Sequence, residues 1–446
     1  MLKLLRLLKF DYDPVDRNLW VSGLAVLILA LILALSGRGV QSPGESGSPL
    51  VFTQWWEDEM EAGSLQALVD EFREQYPEID LRLDTRSYGE MRDWLLYAGE
   101  TGEEAGESPR GEAASSRGAL QADILGLDPR WIGELTQKGQ LEYLDTDDAD
   151  SEGRTISFYV PQGTAALPLV SFMTPLFYNI ELLEAAGFDR PPKNRAEFLN
   201  AARAATNPRQ GRYGFALALS PDNPGGIAAD IYSWFRAANG PLLDRGKPRF
   251  NTPEAIEVLD FLGELYRKSL ISPSSFSKTE ADKREEFING RIAMMIASVR
   301  DIPLIRERNV PFGITTVPGA ASSFGRPAFG LYGWYVGISA SCTNKTGARI
   351  FLSFLAGKRS RIGAAAWAVP GGGDATEDYI SDDPLFSKVY SIYEAGEALE
   401  EFTGRSGATK EETLVREALY RMFEEGRQPK ETAAAIQQGW EALQNR

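Results

Sequence analysis

The stretch LPLVSFMTPLFYNIELLEAAGFDRPP, residues 167–192, decides how this chain folds. Leu167–Val170 and Leu176–Tyr178 are apolar and strand-like, with Pro168 and Pro175 restricting the backbone. Asn179 is placed to cap a short helix, Ile180–Ala186, with Leu182, Leu183 and Ala186 on one side; Gly187 stops it. Pro191-Pro192 then turns the chain into a second amphipathic helix, Ala196–Ala205. An extended crossing followed by a fresh strand and helix is how a chain leaves one lobe and begins another.

A chain of 446 residues can supply two cores of ordinary size. Its net charge of -16 and the lack of any Lys/Arg cluster argue against a nucleic-acid surface. Histidine is absent, which excludes imidazole catalysis, His-dependent triads and His metal ligands. The single cysteine, Cys342, rules out an intrachain disulfide and a cysteine metal site. No cofactor or metal is expected.

The amino terminus reads separately. Residues 1–18 carry Lys3, Arg6, Lys9 and Arg17 ahead of Leu19–Ser36, an uncharged apolar run with Trp20 at its start. Its 18 residues approach the ~20 that cross a bilayer as a helix, and the basic residues predict an inward amino terminus. An uncleaved single-pass anchor is favoured over a secretory signal cleaved after Ala34-Leu35-Ser36. Either reading exports the remainder. Residues 37–49, rich in Gly, Ser and Pro, form a flexible tether.

Beyond the tether, helical and strand periods alternate. Leu50–Gln54 is a strand, Leu65 to Tyr76 a helix ended by Pro77, and Ile79–Leu83 a strand, which together make a βαβ unit on a mostly parallel sheet. Residues 99–118 lack apolar periodicity and read as a disordered surface insertion. Further strands are expected at 123–127, 213–219, 291–297, 312–317 and 333–339. Helices are expected at 131–139, 228–238, 255–268, 345–355 and 432–443, with an apolar stripe from Leu414 to Phe423. These patterns give a two-lobed α/β protein: lobe 1 over 50–168 and 319–365, lobe 2 over 169–318 and 366–446.

The crossing also resembles that of extracellular solute-binding proteins of the maltose-binding type. The matching residues are Tyr178-Asn179, Ala186-Gly187, Pro191-Pro192 and Glu197-Phe198. Four other patterns agree in order: Phe72 to Pro77 followed by Ile79, Ala122-Asp123-Ile124, Phe287–Met294, and Gly426 to Ala433. The resemblance covers Pro49 to Arg446. It implies the type II periplasmic-binding-protein fold, a monomer with a ligand cleft between the lobes, hinge closure on the ligand, and delivery to an ABC-type permease without chemistry on the ligand.

A sugar-like solute, taken here as an oligosaccharide, needs aromatic faces and polar groups together. Trp55 and Trp56 end the first strand, where open α/β sheets place ligands. Strand alternation should bury one of them and put Trp56 with Glu57 in the cleft. Asp128 follows a strand and, by the family pattern, sits at the cleft edge. Tyr88, Trp131, Trp234, Tyr332, Trp334 and Trp367 are each candidates for the site or for packing, whereas Trp440 reads as packing. Phe172 stands where sugar-binding relatives often carry a polar residue, and Arg300 near a position where they often carry Trp. Arg300 could therefore pair with an anionic group on the ligand or lie on the surface. Two rival functions stay open: a tethered sensor for a membrane signalling partner, and a carboxylate-based glycoside hydrolase.

Overall fold

In the computed structural model the first strand, β1 (Leu50–Gln54), pairs in parallel with β2 (Leu81–Thr85) on one side and β3 (Ile124–Leu127) on the other. The structure describes residues 49–97, 122–144, 164–223, 227–238, 242–244, 247–320, 328–371, 378–395, 397–398 and 404–444. The expected anchor, residues 37–48 of the tether and the insertion at 99–118 lie outside them. Among the described residues, no helix is long and apolar enough to cross a membrane.

The helix Ser64–Gln75 joins β1 to β2 and buries Leu65, Leu68, Val69 and Phe72. Phe72 meets Phe351 and Phe354 of the helix Lys345–Gly357 at 4.9 and 5.3 Å. Such edge-to-face pairs add to plain burial. This is the expected βαβ unit.

The rest of this sheet comes from far along the chain. β4 (Leu167–Thr174) runs antiparallel to a strand at Ala328–Ile338, which runs antiparallel to β3. All of β4 belongs to this sheet, so the first crossing falls at Pro175 and not at 168/169. Proline lacks the N–H to extend the ladder, and the chain passes straight into β5 (Leu176–Asn179) of the second sheet.

The second sheet has the order β8-β5-β7-β6, where β6 is Tyr213–Phe215, β7 Ile292–Ile296 and β8 Phe312–Thr315. Asn179 caps the helix Ile180–Ala185 by accepting from Leu182 N at 3.0 Å, and Gly187 ends it at φ 89°. Tyr178 covers Gly313 of β8 so closely that a Cβ there would lie 2.2 Å from the ring. β6 stops at Phe215 rather than at Leu219. From there Leu219 N bonds Ser275 O (2.8 Å), because the chain is drawn onto a neighbouring loop. The expected helix 228–238 begins as a wider π turn, Ala228–Tyr232, before Ser233–Ala237.

The chain returns at β9 (Ala328–Ile338), and helices Lys345–Gly357 and Arg359–Ala366 cover the first sheet. A short β10 (Val369–Pro370) then pairs with Ser171 and Val170 of β4, so the first lobe's sheet continues past residue 365. The last two long helices, Ala408–Phe423 and Pro429–Gln444, pack on the second lobe. Trp440 lies 4.9 Å from Phe250 in that core, as packing. Cys342 is buried, and burial, with Asp123 beside it, pushes its thiol up to about 12, which keeps it unreactive.

Candidate interlobe binding site

Three strand ends of the first lobe face the second. After β1, Gln54 folds its amide back: Oε1 accepts from the N–H groups of Trp56 and Glu57, and Nε2 donates to Thr85 Oγ1 at 2.9 Å. The chain therefore enters a 3₁₀ turn, Trp56–Glu59, and strand alternation stops applying. Both tryptophans are buried as a result, a correction to the expected split. Trp56 lies over Gly126 of β3, where a Cβ would come within 3.1 Å of the ring, and stacks on Trp334 at 5.2 Å. The indole N–H groups of Trp55 and Trp56 find no hydrogen-bond partner among the described residues.

The acid at this seam is Glu59. Glu57 instead faces solvent and accepts from the Thr85 hydroxyl at 2.5 Å. Glu59 Oε2 accepts from Trp334 Nε1 at 3.2 Å, and its Oε1 lies 2.8 Å from Arg300 Nη1, which arrives from the second lobe just after β7. Burial opposes the Arg300 charge, but Glu59, Tyr332, Asp301 and Glu280 together outweigh it, and Arg300 holds its proton more tightly than usual. Arg300 is thus mostly buried, with its counter-charge supplied by Glu59. Phe172 stacks on Tyr332 at 4.9 Å and meets Trp334 edge-on at 5.0 Å, which explains an apolar residue at the crossing: it fills the seam between β4 and β9.

After β2, Ser87 and Glu90 cap the helix Tyr88–Tyr97. Glu90 accepts from Ser87 N (2.9 Å), and Ser87 Oγ accepts from Glu90 N (3.3 Å). That helix presents Tyr88 and Arg92. After β3, Asp128 caps the helix Pro129–Gln137 by accepting from Arg130 N at 2.9 Å. The same carboxylate takes Arg130 Nε (2.8 Å), Arg130 Nη2 (2.6 Å) and the Tyr88 hydroxyl (3.0 Å). Asp128 is saturated within the protein. Arg130 Nη1 reaches both oxygens of Glu412 on the helix Ala408–Phe423. Burial raises the Tyr88 phenol well above its usual range.

A cavity of about 240 Å³ lies among these groups. The first lobe supplies Tyr88, Arg92, Arg130 and Trp131. The second supplies Ser220, Pro221, Asn223 and Ile227 from the segment after β6, and Thr409, Glu412, Thr413 and Arg416 from one face of a helix. Two larger hollows, about 530 and 590 Å³, are lined by second-lobe residues alone. No cluster of metal-ligating side chains occurs among the described residues.

Of the expected site residues, Tyr88 and Trp131 line this cavity, and Trp234 and Trp367 pack in other clusters. Trp234 is buried in the second core, edge-on to Phe198 and Phe215. Trp367 packs on Phe386 with the Arg306 guanidinium over its ring. Arg92, Ser220, Asn223, Glu412 and Arg416 were not anticipated. Ser87-x-x-Glu90 is a readable capping box, and 409, 412, 413 and 416 share one helical face beside the apolar stripe.

The sequence pattern of bacterial extracellular solute-binding proteins matches residues 57–362, more than half of the chain. The chain belongs to this family. Among curated relatives of this solute-binding protein, a Brucella abortus chain described as a binding protein is 27% identical over 224 residues, 48% of this chain and 52% of its own. A Deinococcus radiodurans chain described as an ABC transporter-binding protein is 24% identical over 51% of this chain and 56% of its own. These alignments span about half the length of those relatives. Maltose-bound MalE3 of T. maritima has the same fold, with a TM-score of 0.69 and 20% identity over 89% of this chain and 99% of its own. UgpB of Mycobacterium tuberculosis with glycerophosphocholine gives 0.69 and 19% over 90% and 99%. A Thermotoga lettingae protein with α-D-tagatose gives 0.68 and 21% over 88% and 97%.

Proposed function

We propose that the chain captures a small polyhydroxylated, carbohydrate-like solute between its lobes and delivers it, as a monomer, to an ABC-type importer. The binding unit works outside the cytoplasm, held to the membrane through Leu19–Ser36. The observation that carries this reading is the cavity, which exists only where residues of both lobes meet. Tyr88 and Trp131 put aromatic surface on its wall beside the polar groups of Arg92, Ser220, Asn223 and Thr409, a set suited to ring faces and hydroxyls, and Trp55 packs behind both rings. Maltose and tagatose, bound in two of the structural neighbours, belong to that chemistry. A volume of about 240 Å³ is below the ~300 Å³ at which drug-sized sites begin. It suits one sugar ring better than the oligosaccharide expected from the sequence.

A thermal-shift screen against monosaccharides, oligosaccharides, polyols, sugar phosphates and peptides tests it. A solute that binds only the folded state raises stability by ~2.7 kcal/mol at a hundred times its Kd. A shift with one sugar-like class and no turnover supports the reading. Shifts with peptides alone would replace the solute class.

A further inference from the structure

Among the three arginines on the cavity, Arg416 stands apart. Arg130 is matched by Asp128 and Glu412. Arg92 is matched by Asp93 at 2.8 Å and Asp222 at 3.1 Å, and also donates to Pro221 O at 2.6 Å. The Arg416 guanidinium, half-buried, has no hydrogen bond or ion pair among the described residues. We propose that Arg416, with Arg92 and the Ser220 and Thr409 hydroxyls on the same cavity, forms a subsite for an anionic group of the solute: a phosphate, phosphodiester or carboxylate. This deepens the solute-capture reading and rests on it.

The electrostatics around Arg416 agree. Burial first, and then the nearby Arg92, push its proton affinity below the usual arginine range; Glu412, Glu417 and Asp222 favour the charge but do not restore it. A cation withdrawn from water is costly unless paired. A neutral hydroxyl can accept a bond from the guanidinium without cancelling its charge, whereas a planar fork meets a phosphate or carboxylate at two points. Ser220 Oγ accepts only a weak 3.3 Å bond from Asp222 N, which leaves its O–H to donate into the cavity. Glu412 carries the one carboxylate on the cavity wall, and both of its oxygens face Arg130.

The test is calorimetric titration of the full 446-residue chain with matched pairs: glucose 6-phosphate against glucose, galacturonate against galactose, and glycerol 3-phosphate against glycerol, with inorganic phosphate alone as a further probe. At least one anionic member should bind ten-fold or more tighter than its neutral partner, and which one names the source of the charge. That preference should fall at least five-fold in Arg416→Gln, be partly kept in Arg416→Lys, and shrink at high salt. Equal affinities within every pair, or a preference unchanged in Arg416→Gln, would overturn the subsite and leave solute capture standing. Should the glutamine variant not fold, the native chain decides: anionic binding no more salt-sensitive than neutral binding overturns the subsite. Failure of every probe and every sugar to bind would remove the solute reading itself.

Discussion

Arg130 and Glu412, 282 positions apart, meet across the lobes, with Nη1 at 3.1 and 2.9 Å from the two carboxylate oxygens. The Glu59–Arg300 pair, at 2.8 Å, and the Arg92–Asp222 pair, at 3.1 Å, also cross the seam. Opening the lobes would return Arg130, Glu412, Glu59 and Arg300 to water, whereas Asp222 is exposed already. A buried pair gains little over its own hydration but is costly to leave half-made. The pairs therefore fix the register of closure more than they drive it.

Glu59→Gln keeps the side-chain shape and an acceptor for Trp334, yet strips Arg300 of its counter-charge inside the closed seam. The expected cost to the closed form is ~2–5 kcal/mol. Small-angle scattering of Pro49–Arg446 without ligand should show a larger radius for Glu59→Gln. Adding Arg300→Met should restore much of the compact form through coupling of the two sites. An unchanged radius in the single variant would mean that the pair does not hold the lobes.

Burial pushes the Glu280 carboxyl up to about 8, with Asp301 and Asp230 adding to the shift and Lys283 and Arg300 opposing it. In the unfolded chain this proton leaves near the ordinary glutamate value of ~4.3. Between those limits the folded state binds more protons, so stability falls as pH rises from about 4 to 8. Melting temperatures at pH 5 and pH 8 should differ less in Glu280→Gln, and the variant should gain stability at pH 8. An identical pH slope in both proteins would contradict the assignment.

Gly126→Ala places a Cβ 2.9 Å from Gln54 Cβ and 3.1 Å from the Trp56 ring. Overpacking of this kind costs ~1–3 kcal/mol. Chemical denaturation should register that loss, and near-ultraviolet dichroism should change as the Trp56–Trp334 stack is displaced.

Trp234 belongs to packing, so Trp234→Ala should lower stability by ~3–5 kcal/mol. Its ligand affinity, measured well below the new melting temperature, should stay within about two-fold. A selective loss of affinity would return this residue to the binding site.

The fold was largely legible because its signals are local. The crossing, the Asn179 cap and the apolar stripes each show within a dozen residues. The lobe boundary moved to Pro175 because strand pairing assigns all of β4 to the first sheet, and pairing with β9 is invisible in β4 itself. Of the residues that line the cavity, Tyr88 and Trp131 are the two that stand out in the sequence. Trp55 and Trp56 lie at a turn set by the Gln54 amide, which voids alternation. The charges of Asp128 and Arg300 are taken up by Arg130 and Glu59. Glu59 and Arg300 stand 241 positions apart and leave no periodic trace, whereas Arg130 lies only two positions from Asp128.

The central claim is that the solute sits in the cavity shared by both lobes. Thr413→Trp would fill that cavity from the second lobe's helix. Calorimetric titration of this variant with the solute found in the thermal screen is the most direct test. The account predicts loss of binding with the melting temperature nearly kept. Binding with unchanged affinity would contradict it and put the solute elsewhere.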